Sequence, residues 1–315
     1  MTLDDKTRIF VAGHRGLVGS AITRALRRQG CQNLILRTHQ ELDLTDQSEV
    51  RMFFQEYRPQ VTVLAAARVG GIYANSARPA AFIRDNLLIQ DNVIDAAHRS
   101  GVEKFVFLGS SCIYPKMAPQ PIKEEYLLTG PLETSNEWYA VAKIAGLKMC
   151  QAYRREFGFN AISLMPTNLY GPGDNFDREN SHVLPALIRR FHDAKTRRDS
   201  SVTVWGTGTP RREFLHVDDL ADAVLYLLQN YNDEPIVNVG WGEDLTIREL
   251  AETVMSAIGY SGALTFDHSK PDGTPRKLLD VSRLHSLGWR PRISLRAGIE
   301  GTYAWFKDHA ADARL

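Results

Sequence analysis

Residues 8–30 read RIFVAGHRGLVGSAITRALRRQG and combine three local patterns. The run RIFVA is apolar and rich in β-forming residues, a glycine-rich turn follows it, and an amphipathic stretch continues to Gly30. This order predicts a strand, a tight turn and a helix that stops at Gly30. The turn has a glycine at every third position, namely Gly13, Gly16 and Gly19. Because glycines allow close backbone approach and a helix N-terminus offers free N–H groups, the stretch predicts a pyrophosphate-binding loop.

The alternation of strand and helix continues through the first half of the chain. Strand-like apolar runs occur at 33–37, 61–67, 104–110 and 161–167, and helical patterns occur at 47–57, 79–101 and 139–158. Such alternation implies right-handed βαβ crossovers and a parallel sheet that helices cover on both faces. We therefore predict an α/β fold, with a doubly wound parallel sheet of the Rossmann type over residues 1–165.

The pattern becomes less regular after Pro166. Residues 166–206 and 239–315 are predicted to form a smaller α/β substrate-binding lobe. It would contain a helix within SHVLPALIRRFHDAK, the segment IVNVGWG and a helix within TIRELAETVMSAIG. Between these parts, about residues 207–238, VTVWGTG and EFLHVDDLADAVLYLL are interpreted as a return to the first sheet with one more helix.

The composition indicates an ordinary globular protein. The chain has 315 residues, 43% of them hydrophobic and 24% charged, with a net charge of +1. A near-neutral balance gives no support to nucleic-acid or membrane-surface binding, and no apolar run approaches the roughly 18 residues of a membrane span. The three cysteines cannot form a disulfide framework, and the Cys and His residues lack zinc-ligand spacing. We therefore expect a cytoplasmic protein without a metal site.

Two arginines bear on the choice of dinucleotide. NAD-binding loops usually end the second strand with an acidic residue that binds the ribose 2′-hydroxyl. Here the second strand is predicted to end in Arg37, and Arg15 lies inside the glycine loop. Guanidinium groups bind phosphate through paired hydrogen bonds, which favours NADP(H). The alternative interpretation is that both are solvated surface arginines.

A reductase site is indicated by three further residues. Tyr139 and Lys143 are four residues apart in a helical pattern and so share one helix face. A nearby ammonium stabilises a phenolate, which would make the tyrosine a workable acid–base group. Ser110, after the predicted fourth strand, could hydrogen-bond the carbonyl being reduced. The spacing of Tyr and Lys alone is common on exposed helices, but its combination with Ser110 and the glycine loop is specific.

Together, GHRGLVG, the serine after strand four, YAVAK and REFLHVDD resemble the extended short-chain dehydrogenase/reductase family. Longer motifs, from about residue 8 to about residue 305, are similar to the members that epimerise GDP-4-keto-6-deoxy-D-mannose at C3 and C5 and then reduce C4. These motifs are HRGLVGSAI, VGGIYAN, LGSSCIYP, MPTNLYGP, SHVLPALIRRFH, VWGTGTPRREFLHVDD and KPDGTPRKLLD. The resemblance implies an NADP-dependent oxidoreductase and isomerase of nucleotide-sugar biosynthesis. It also implies a homodimer formed through the helices at 77–100 and 136–157.

The same resemblance assigns an epimerase role to Cys112 as base and to His182 as acid. A 4-keto group acidifies both C3 and C5, so one acid–base pair could serve both carbons. A thiol is a workable base when a nearby cation favours the thiolate, and histidine titrates near physiological pH. Taken alone, a cysteine at a strand end is usually a small buried hydrophobe, and an isolated histidine usually a surface or capping residue. Cys31 and Cys150 have no such context and are interpreted as structural.

The resemblance also implies the binding residues. For the substrate these are Arg190, Trp205, Arg212 and Asp280, although Arg190 and Arg212 each have an arginine neighbour with which they could be confused. For each arginine the alternative is a solvated charge, and for Trp205 a core aromatic. For the cofactor they are Gly13, His14, Arg15, Gly16, Leu17, Val18, Gly19, Arg37, Asp43, Leu44, Leu108, Gly109, Ser110, Ser111, Lys143, Pro166, Thr167, Asn168, Leu169 and His182.

Three other functions stay open at this point. A related epimerase/reductase of the colitose type could use the same fold and cofactor on a different GDP-4-keto sugar. A simple reductase or 4-epimerase would leave Cys112 and His182 without a role. A non-catalytic NADP-binding sensor is disfavoured because Ser110, Tyr139 and Lys143 are all present.

Overall fold

The computed structural model describes residues 3–71, 75, 77–177, 181–270 and 272–309. Residues 72–74 of the motif VGGIYAN and residue 271 of KPDGTPRKLLD lie outside the described residues. The strands are β1 (Ile9–Ala12), β2 (Leu34–Ile35), β3 (Val61–Leu64), β4 (Lys104–Leu108), β5 (Ala161–Pro166), β6 (Asn168–Tyr170), β7 (Ser201–Trp205), β8 (Arg211–Arg212), β9 (Phe214–His216), β10 (Val237–Val239), β11 (Leu245–Thr246), β12 (Ala263–Asp267) and β13 (Arg276–Lys277). The helices are α1 (Leu17–Arg28), α2 (Gln47–Tyr57), α3 (Pro79–Arg99), α4 (Glu137–Phe157), α5 (Val183–Arg197), α6 (Val217–Asn230), α7 (Ile247–Ile258), α8 (Ser282–Ser286) and α9 (Leu295–Asp308).

Six parallel strands form the central sheet in the order β2-β1-β3-β4-β5-β10. Alternate residues of β1 face opposite sides, so Phe10 packs in the core beneath α2, α3 and α4, whereas Ile9 and Val11 pack beneath α1 and α6. The predicted doubly wound sheet is therefore confirmed. The direction of winding reverses between β1 and β3, and ligands of such sheets bind at that reversal.

The helix ends follow the local sequence. The carboxylate of Asp46 accepts hydrogen bonds from the first amides of α2, and Thr246 and Glu249 form a capping box at α7. Gly30, at φ +87°, directly follows the residue that caps α1, and Gly259, at φ +69°, ends α7. These local signals explain why the predicted helix positions agree closely with the structure.

The smaller lobe contains three short sheets, which are β6 with β9, β7 with β12, and β11-β8-β13. Helices α5, α7 and α9 pack around a separate core that includes Phe176, Phe191 and Phe306. The carboxyl ends of β5 and β10 lead directly into this lobe, which therefore lies over the edge of the sheet where the glycine loop is found.

The predicted return to the central sheet is wrong for VTVWGTG and EFLHV. The first forms β7, which pairs with β12, and the second forms β9, which pairs with β6. The sixth strand is instead β10, in the segment IVNVGWG, which the sequence predicts to lie in the smaller lobe. β10 is the edge strand next to β5, and its residues are buried, as expected in a sheet that is covered on both faces. In contrast, β7 alternates between exposed and buried residues and suits a two-stranded sheet with one solvated face.

The second predicted strand is also shorter than expected, since β2 spans only Leu34–Ile35 and Arg37 lies beyond its end. Across the residues given above, no helix is long and apolar enough to cross a membrane. All three cysteines are free thiols, with Cys31 and Cys150 buried and Cys112 partly exposed. A cytoplasmic location stays a prediction.

Candidate active site

The glycine loop is a tight turn in which two positions, Gly13 and Gly19, leave no room for a Cβ atom. Gly13 adopts φ +82°, and a Cβ there would lie 2.8 Å from backbone atoms of Ala66, which follows β3. A Cβ on Gly19 would lie 2.2 Å from the Gly13 carbonyl oxygen, and the Gly16 amide donates to that oxygen at 3.0 Å. The loop thus brings the start of α1 to the end of β1 at the reversal of the sheet.

The start of α1 suits an anion. Its N-cap, Gly16, has no side chain to accept from the first amides, and the first turn contains no acidic residue. The amides at the N-terminus therefore face the loop opening together with the positive end of the helix dipole. These features fit the pyrophosphate of a dinucleotide, as the sequence predicts.

Arg37 and Arg15 differ in their surroundings. The Arg37 guanidinium stacks on the ring of Tyr57, 4.6 Å from its centroid, and donates to the Leu36 carbonyl at 2.9 Å. Arg15 is exposed at the loop. The nearby His14 has a lowered pKa because of burial, with a smaller contribution from the Arg15 charge. A guanidinium held over an aromatic ring can still donate N–H groups to a phosphate, which fits a 2′-phosphate at this end of the cofactor.

Other predicted cofactor residues line the same edge of the sheet. Gly109 and Thr167 continue β4 and β5, their amides bonded to the carbonyls of Leu164 at 2.9 Å and Val239 at 3.0 Å. The Asp43 carboxylate accepts from the Thr45 amide at 2.9 Å, so it shapes the turn before α2. The remaining residues of these segments are Leu44, Leu108, Ser111, Pro166, Asn168 and Leu169. Their contact with a cofactor stays a prediction.

Ser110, Tyr139 and Lys143 meet between β4 and α4. Tyr139 and Lys143 lie on one face of α4, with the lysine Nζ 5.8 Å from the centroid of the phenol ring. Lys143 is buried and donates to the Leu108 carbonyl at 2.8 Å. Ser110 lies two residues beyond β4, where its hydroxyl accepts from the Cys112 amide at 3.2 Å.

The acid–base states of the pair differ from the sequence-based expectation. Burial raises the pKa of Tyr139 well above 10, the charge of Cys112 raises it further, and a hydrogen bond with the Ser110 side chain opposes both. Burial lowers the pKa of Lys143 from 10.5 to about 8. The expected stabilisation of a phenolate by Lys143 is therefore outweighed by burial. The protonated phenol is the form that can donate a proton to a developing alkoxide.

The Cys112 sulfur lies beside this group and receives two donors. The side-chain amide of Asn136 donates to it at 3.2 Å, and the Lys277 ammonium approaches to 3.7 Å. Cys112 also interacts electrostatically with Tyr139. A thiol and a phenol are thus close enough to act on neighbouring atoms of one substrate.

His182 begins α5 as its N-cap residue. The residue is exposed to solvent, yet enough protein surrounds the ring that loss of hydration lowers its pKa. A lowered pKa favours the neutral imidazole at neutral pH, which opposes the predicted acid role. Among the described residues, no hydrogen bond joins His182 to Cys112, so their pairing stays a prediction.

The neighbouring arginines of the smaller lobe are distinguished by their ion pairs. Arg189 binds Asp193 at 3.2 Å and Arg211 binds Asp244 at 2.8 Å, whereas no described carboxylate forms an ion pair with Arg190 or Arg212. Burial lowers the pKa of both Arg190 and Arg212. Asp272 and Glu133 act on Arg212 only through longer-range charge interactions, which oppose the effect of burial. Two partly desolvated cations without a carboxylate in ion-pair contact fit a diphosphate, which supports the predicted pair over its neighbours.

The other two predicted substrate residues have different settings. Trp205 is 61% exposed, and Arg190 lies 5.3 Å from its ring centroid, so it is not a core aromatic. The Asp280 carboxylate accepts from the amide of Ser282, the first residue of α8, at 2.8 Å. No described hydrogen bond or ion pair joins Asp280 to Arg190, Trp205 or Arg212, so its substrate role stays a prediction.

The sequence analysis missed the two residues that contact the Cys112 sulfur. Asn136 precedes Tyr139 by one helical turn, a spacing that could have indicated it. Lys277 is 165 residues from Cys112, and no local pattern links them. Within the described chain, no group of three His, Cys, Asp or Glu side chains could hold a metal ion.

The chain is similar to known proteins over nearly its whole length. A model of the NAD dependent epimerase/dehydratase family matches residues 9–240. The chain is 61% identical to "Probable GDP-L-fucose synthase 1" of Oryza sativa subsp. japonica, covering 99% of this chain and 95% of that one. It is 55% identical to "GDP-L-fucose synthase" of Escherichia coli K12, covering 96% and 98%.

Two further similarities are lower. "GDP-L-colitose synthase" of Yersinia pseudotuberculosis is 37% identical, over 95% of this chain and 97% of that one. Among solved structures, the GDP-mannoheptose C4 reductase MlghC of Campylobacter jejuni with NADP bound superposes with a TM-score of 0.90 and 41% identity, covering 97% and 100%. The chain therefore belongs to the NAD dependent epimerase/dehydratase family, in the branch that contains the GDP-L-fucose synthases.

Proposed function

We propose that this protein is an NADPH-dependent epimerase/reductase that converts GDP-4-keto-6-deoxy-D-mannose to GDP-L-fucose. The relatives with the highest identities quoted above are named for GDP-L-fucose synthesis, and MlghC contains NADP. The observation that carries the proposal is the Cys112 sulfur beside the Ser110–Tyr139–Lys143 group. A carbonyl reductase needs only that group, so the adjacent thiol indicates a second reaction on the same sugar.

In the epimerase step, Cys112 removes the proton from a carbon next to the ketone, and the negative charge moves to the carbonyl oxygen. Ser110 and Tyr139 lie where they can donate hydrogen bonds to that oxygen. His182 then delivers a proton to the opposite face of the carbon from its imidazolium form, which is the minor form at neutral pH because loss of hydration lowers the pKa of the ring. Because the ketone activates both C3 and C5, the same side chains serve both inversions.

In the reduction, NADPH supplies a hydride to C4 when it is bound. Tyr139 keeps its proton because burial raises its pKa, and it donates that proton to the oxygen as the alcohol forms. Lys143 and Ser110 hold the phenol and the oxygen in position. The glycine loop and the start of α1 bind the pyrophosphate, and Arg37 and Arg15 bind the 2′-phosphate.

Deuterium exchange tests this proposal. The wild-type protein and Cys112→Ser would each be incubated with GDP-4-keto-6-deoxy-D-mannose in D2O without NADPH and examined by NMR. We expect deuterium at both C3 and C5 with the wild type, and at least about 100-fold slower exchange with the variant. Cys31→Ser, which alters a buried thiol in a different part of the core, is the matched control and should exchange normally.

The same experiment distinguishes the alternatives. Exchange at C5 alone would favour an enzyme of the colitose type, whose relative is less similar to this chain. A bound substrate that shows no exchange, together with NADPH oxidation, would indicate a simple C4 reductase. The absence of both reactions would favour a sensor.

We also propose that the protein is a homodimer formed through α3 and α4. The outer surface of these helices exposes large apolar side chains, with Leu87 37%, Trp138 42% and Val141 41% exposed. A shallow depression between the helices is lined by Leu87, Leu88, Ala145, Gly146 and Met149, among others. An apolar surface that spans two long parallel elements suits a second copy of the same surface.

A further inference from the structure

The electrostatic environment of Cys112 comes from both lobes. Asn136 at the start of α4 donates to the sulfur at 3.2 Å, and Lys277 on β13 of the smaller lobe directs its ammonium at the sulfur from 3.7 Å. Thiolates accept such bonds better than thiols, and a cation at this distance favours the charged form. Both contacts therefore stabilise the same state of the sulfur.

The backbone on both sides of Lys277 is fixed. In β13, Lys277 pairs with Arg212 of β8. The Leu278 amide donates to the Gln120 side chain at 2.9 Å, and the Leu279 amide donates to the buried Glu213 carboxylate at 3.1 Å. The ammonium is thus held near the sulfur by a segment that is anchored at three successive residues.

The described carboxylates near Lys277 are paired with other cations, so they do not compete with the Cys112 sulfur for its ammonium. Its neighbour Arg276 binds Asp244, but within the described residues no carboxylate forms an ion pair with Lys277. Glu133, the acidic residue of the adjoining turn, binds Lys116 at 2.9 Å. From α4, the titratable group that faces Cys112 is Tyr139, which is protonated near neutral pH.

We propose that Lys277 is a positioning residue that stabilises the negatively charged sulfur of Cys112 during proton abstraction, with Asn136 as the second donor. The thiolate accepts the carbon-bound proton and becomes a thiol, while the negative charge passes to the substrate oxygen and the ammonium keeps its proton. The proposal rests on the proposed function for the identity of that carbon acid, but the thiolate itself can be measured without substrate.

The test is the pH dependence of Cys112 alkylation by iodoacetamide, followed by mass spectrometry of the peptide that contains Cys112. The full-length wild type would be compared with Lys277→Met and Lys277→Arg between about pH 5 and about pH 10. We expect Lys277→Met to slow alkylation at pH 7 by about tenfold, with a common plateau at high pH, and Lys277→Arg to restore most of the rate. Lys148→Met, which removes an exposed ammonium from α4, is the matched control and should behave as wild type.

Other outcomes are equally decisive. Coincident alkylation profiles for wild type and Lys277→Met, with both proteins shown to be folded by their melting temperatures, would overturn the proposal. A raised KM for the GDP-sugar with unchanged alkylation would also overturn it, because Lys277 would then bind only substrate. Asn136→Ala should slow alkylation in the same direction by a smaller factor. A shifted profile without any C–H exchange in the wild type would reject the proposed function and leave this inference standing.

Discussion

At the scale of single residues, ion pairing separates side chains that look equivalent in the sequence. Arg189 and Arg190 are adjacent on α5, but only Arg189 is bound to a described carboxylate. Arg190 instead lies over Trp205. The same division applies to Arg211, which binds Asp244, and Arg212, which forms no ion pair with a described carboxylate. The partners, rather than the residue type, therefore indicate which arginine is available to a phosphate.

This difference predicts that substitution of Arg190 affects substrate binding, whereas substitution of Arg189 affects stability. Arg190→Ala should raise KM for the GDP-sugar by about tenfold, because a charge-assisted contact to phosphate is lost in the ground state and transition state alike. Arg189→Ala should change KM less than about twofold and lower the unfolding free energy by about 0.5 kcal/mol through loss of its pair with Asp193. Steady-state kinetics and urea unfolding of both variants measure these effects. Equal KM effects would contradict the assignment.

The buried charge of Lys143 is expected to destabilise the folded protein, although reduction requires this residue. Its pKa is lowered from 10.5 to about 8 by burial, so the folded protein holds this proton less tightly than the unfolded chain. The resulting loss of stability is complete below about pH 8 and disappears as the pH rises to 10.5. We therefore expect the free energy of unfolding of Lys143→Met to be about 1 kcal/mol higher than that of wild type at pH 7, although the variant loses the hydrogen bond to Leu108. The variant should also reduce no substrate.

Urea unfolding at pH 7 without cofactor, together with NADPH oxidation, measures both effects. The exposed Lys148→Met is again the control, and its stability should match wild type within about 0.5 kcal/mol. A Lys143→Met protein less stable than wild type would mean that the Lys143–Leu108 hydrogen bond outweighs the cost of burying the charge.

At the scale of elements, two glycines of the loop are expected to have different roles. Gly19 should be required for stability, whereas Gly16 should be required for cofactor binding. Gly19→Ala would place a Cβ against the Gly13 backbone and should destabilise the protein by about 2 kcal/mol or more. A Cβ on Gly16 meets only ordinary contact, at 3.5 Å from the Gly13 oxygen, so Gly16→Ala should alter stability by less than about 1 kcal/mol. It should nevertheless weaken NADPH binding by about tenfold, since the methyl group occupies the approach of the pyrophosphate.

Thermal unfolding and NADPH fluorescence titration of the two variants measure these effects. If Gly16→Ala bound NADPH as tightly as wild type, the pyrophosphate would have to lie elsewhere than at the start of α1. If Gly19→Ala were as stable as wild type, the loop could relax in a way that the close approach of Gly13 and Gly19 does not suggest.

At the scale of the whole molecule, the apolar surface of α3 and α4 predicts self-association. Val141→Glu should shift the protein from dimer to monomer in sedimentation velocity, because it would bury an unpaired charge in the interface. Met52→Glu adds the same charge at a position that is 60% exposed on α2, and it should leave the assembly unchanged. A wild type that sediments as a monomer at micromolar concentration would reject the proposed dimer.

The sequence alone determined the local elements and most of the chemistry near them. The β1–loop–α1 unit, the stop of α1 at Gly30 and the face shared by Tyr139 and Lys143 depend on neighbours within a few residues, which periodicity and helix-stop signals reveal. The motifs likewise indicated Ser110 and Cys112, because both follow one strand directly. These features are encoded within short segments.

Only the tertiary structure decided the relations between distant segments. It paired β7 with β12 rather than with the central sheet, gave the sixth position to β10, and separated the ion-paired arginines from their neighbours. It also brought Lys277 to Cys112 across 165 residues. Strand partners, burial and the charges around a side chain arise from long-range packing, which the periodicity of a single sequence does not record.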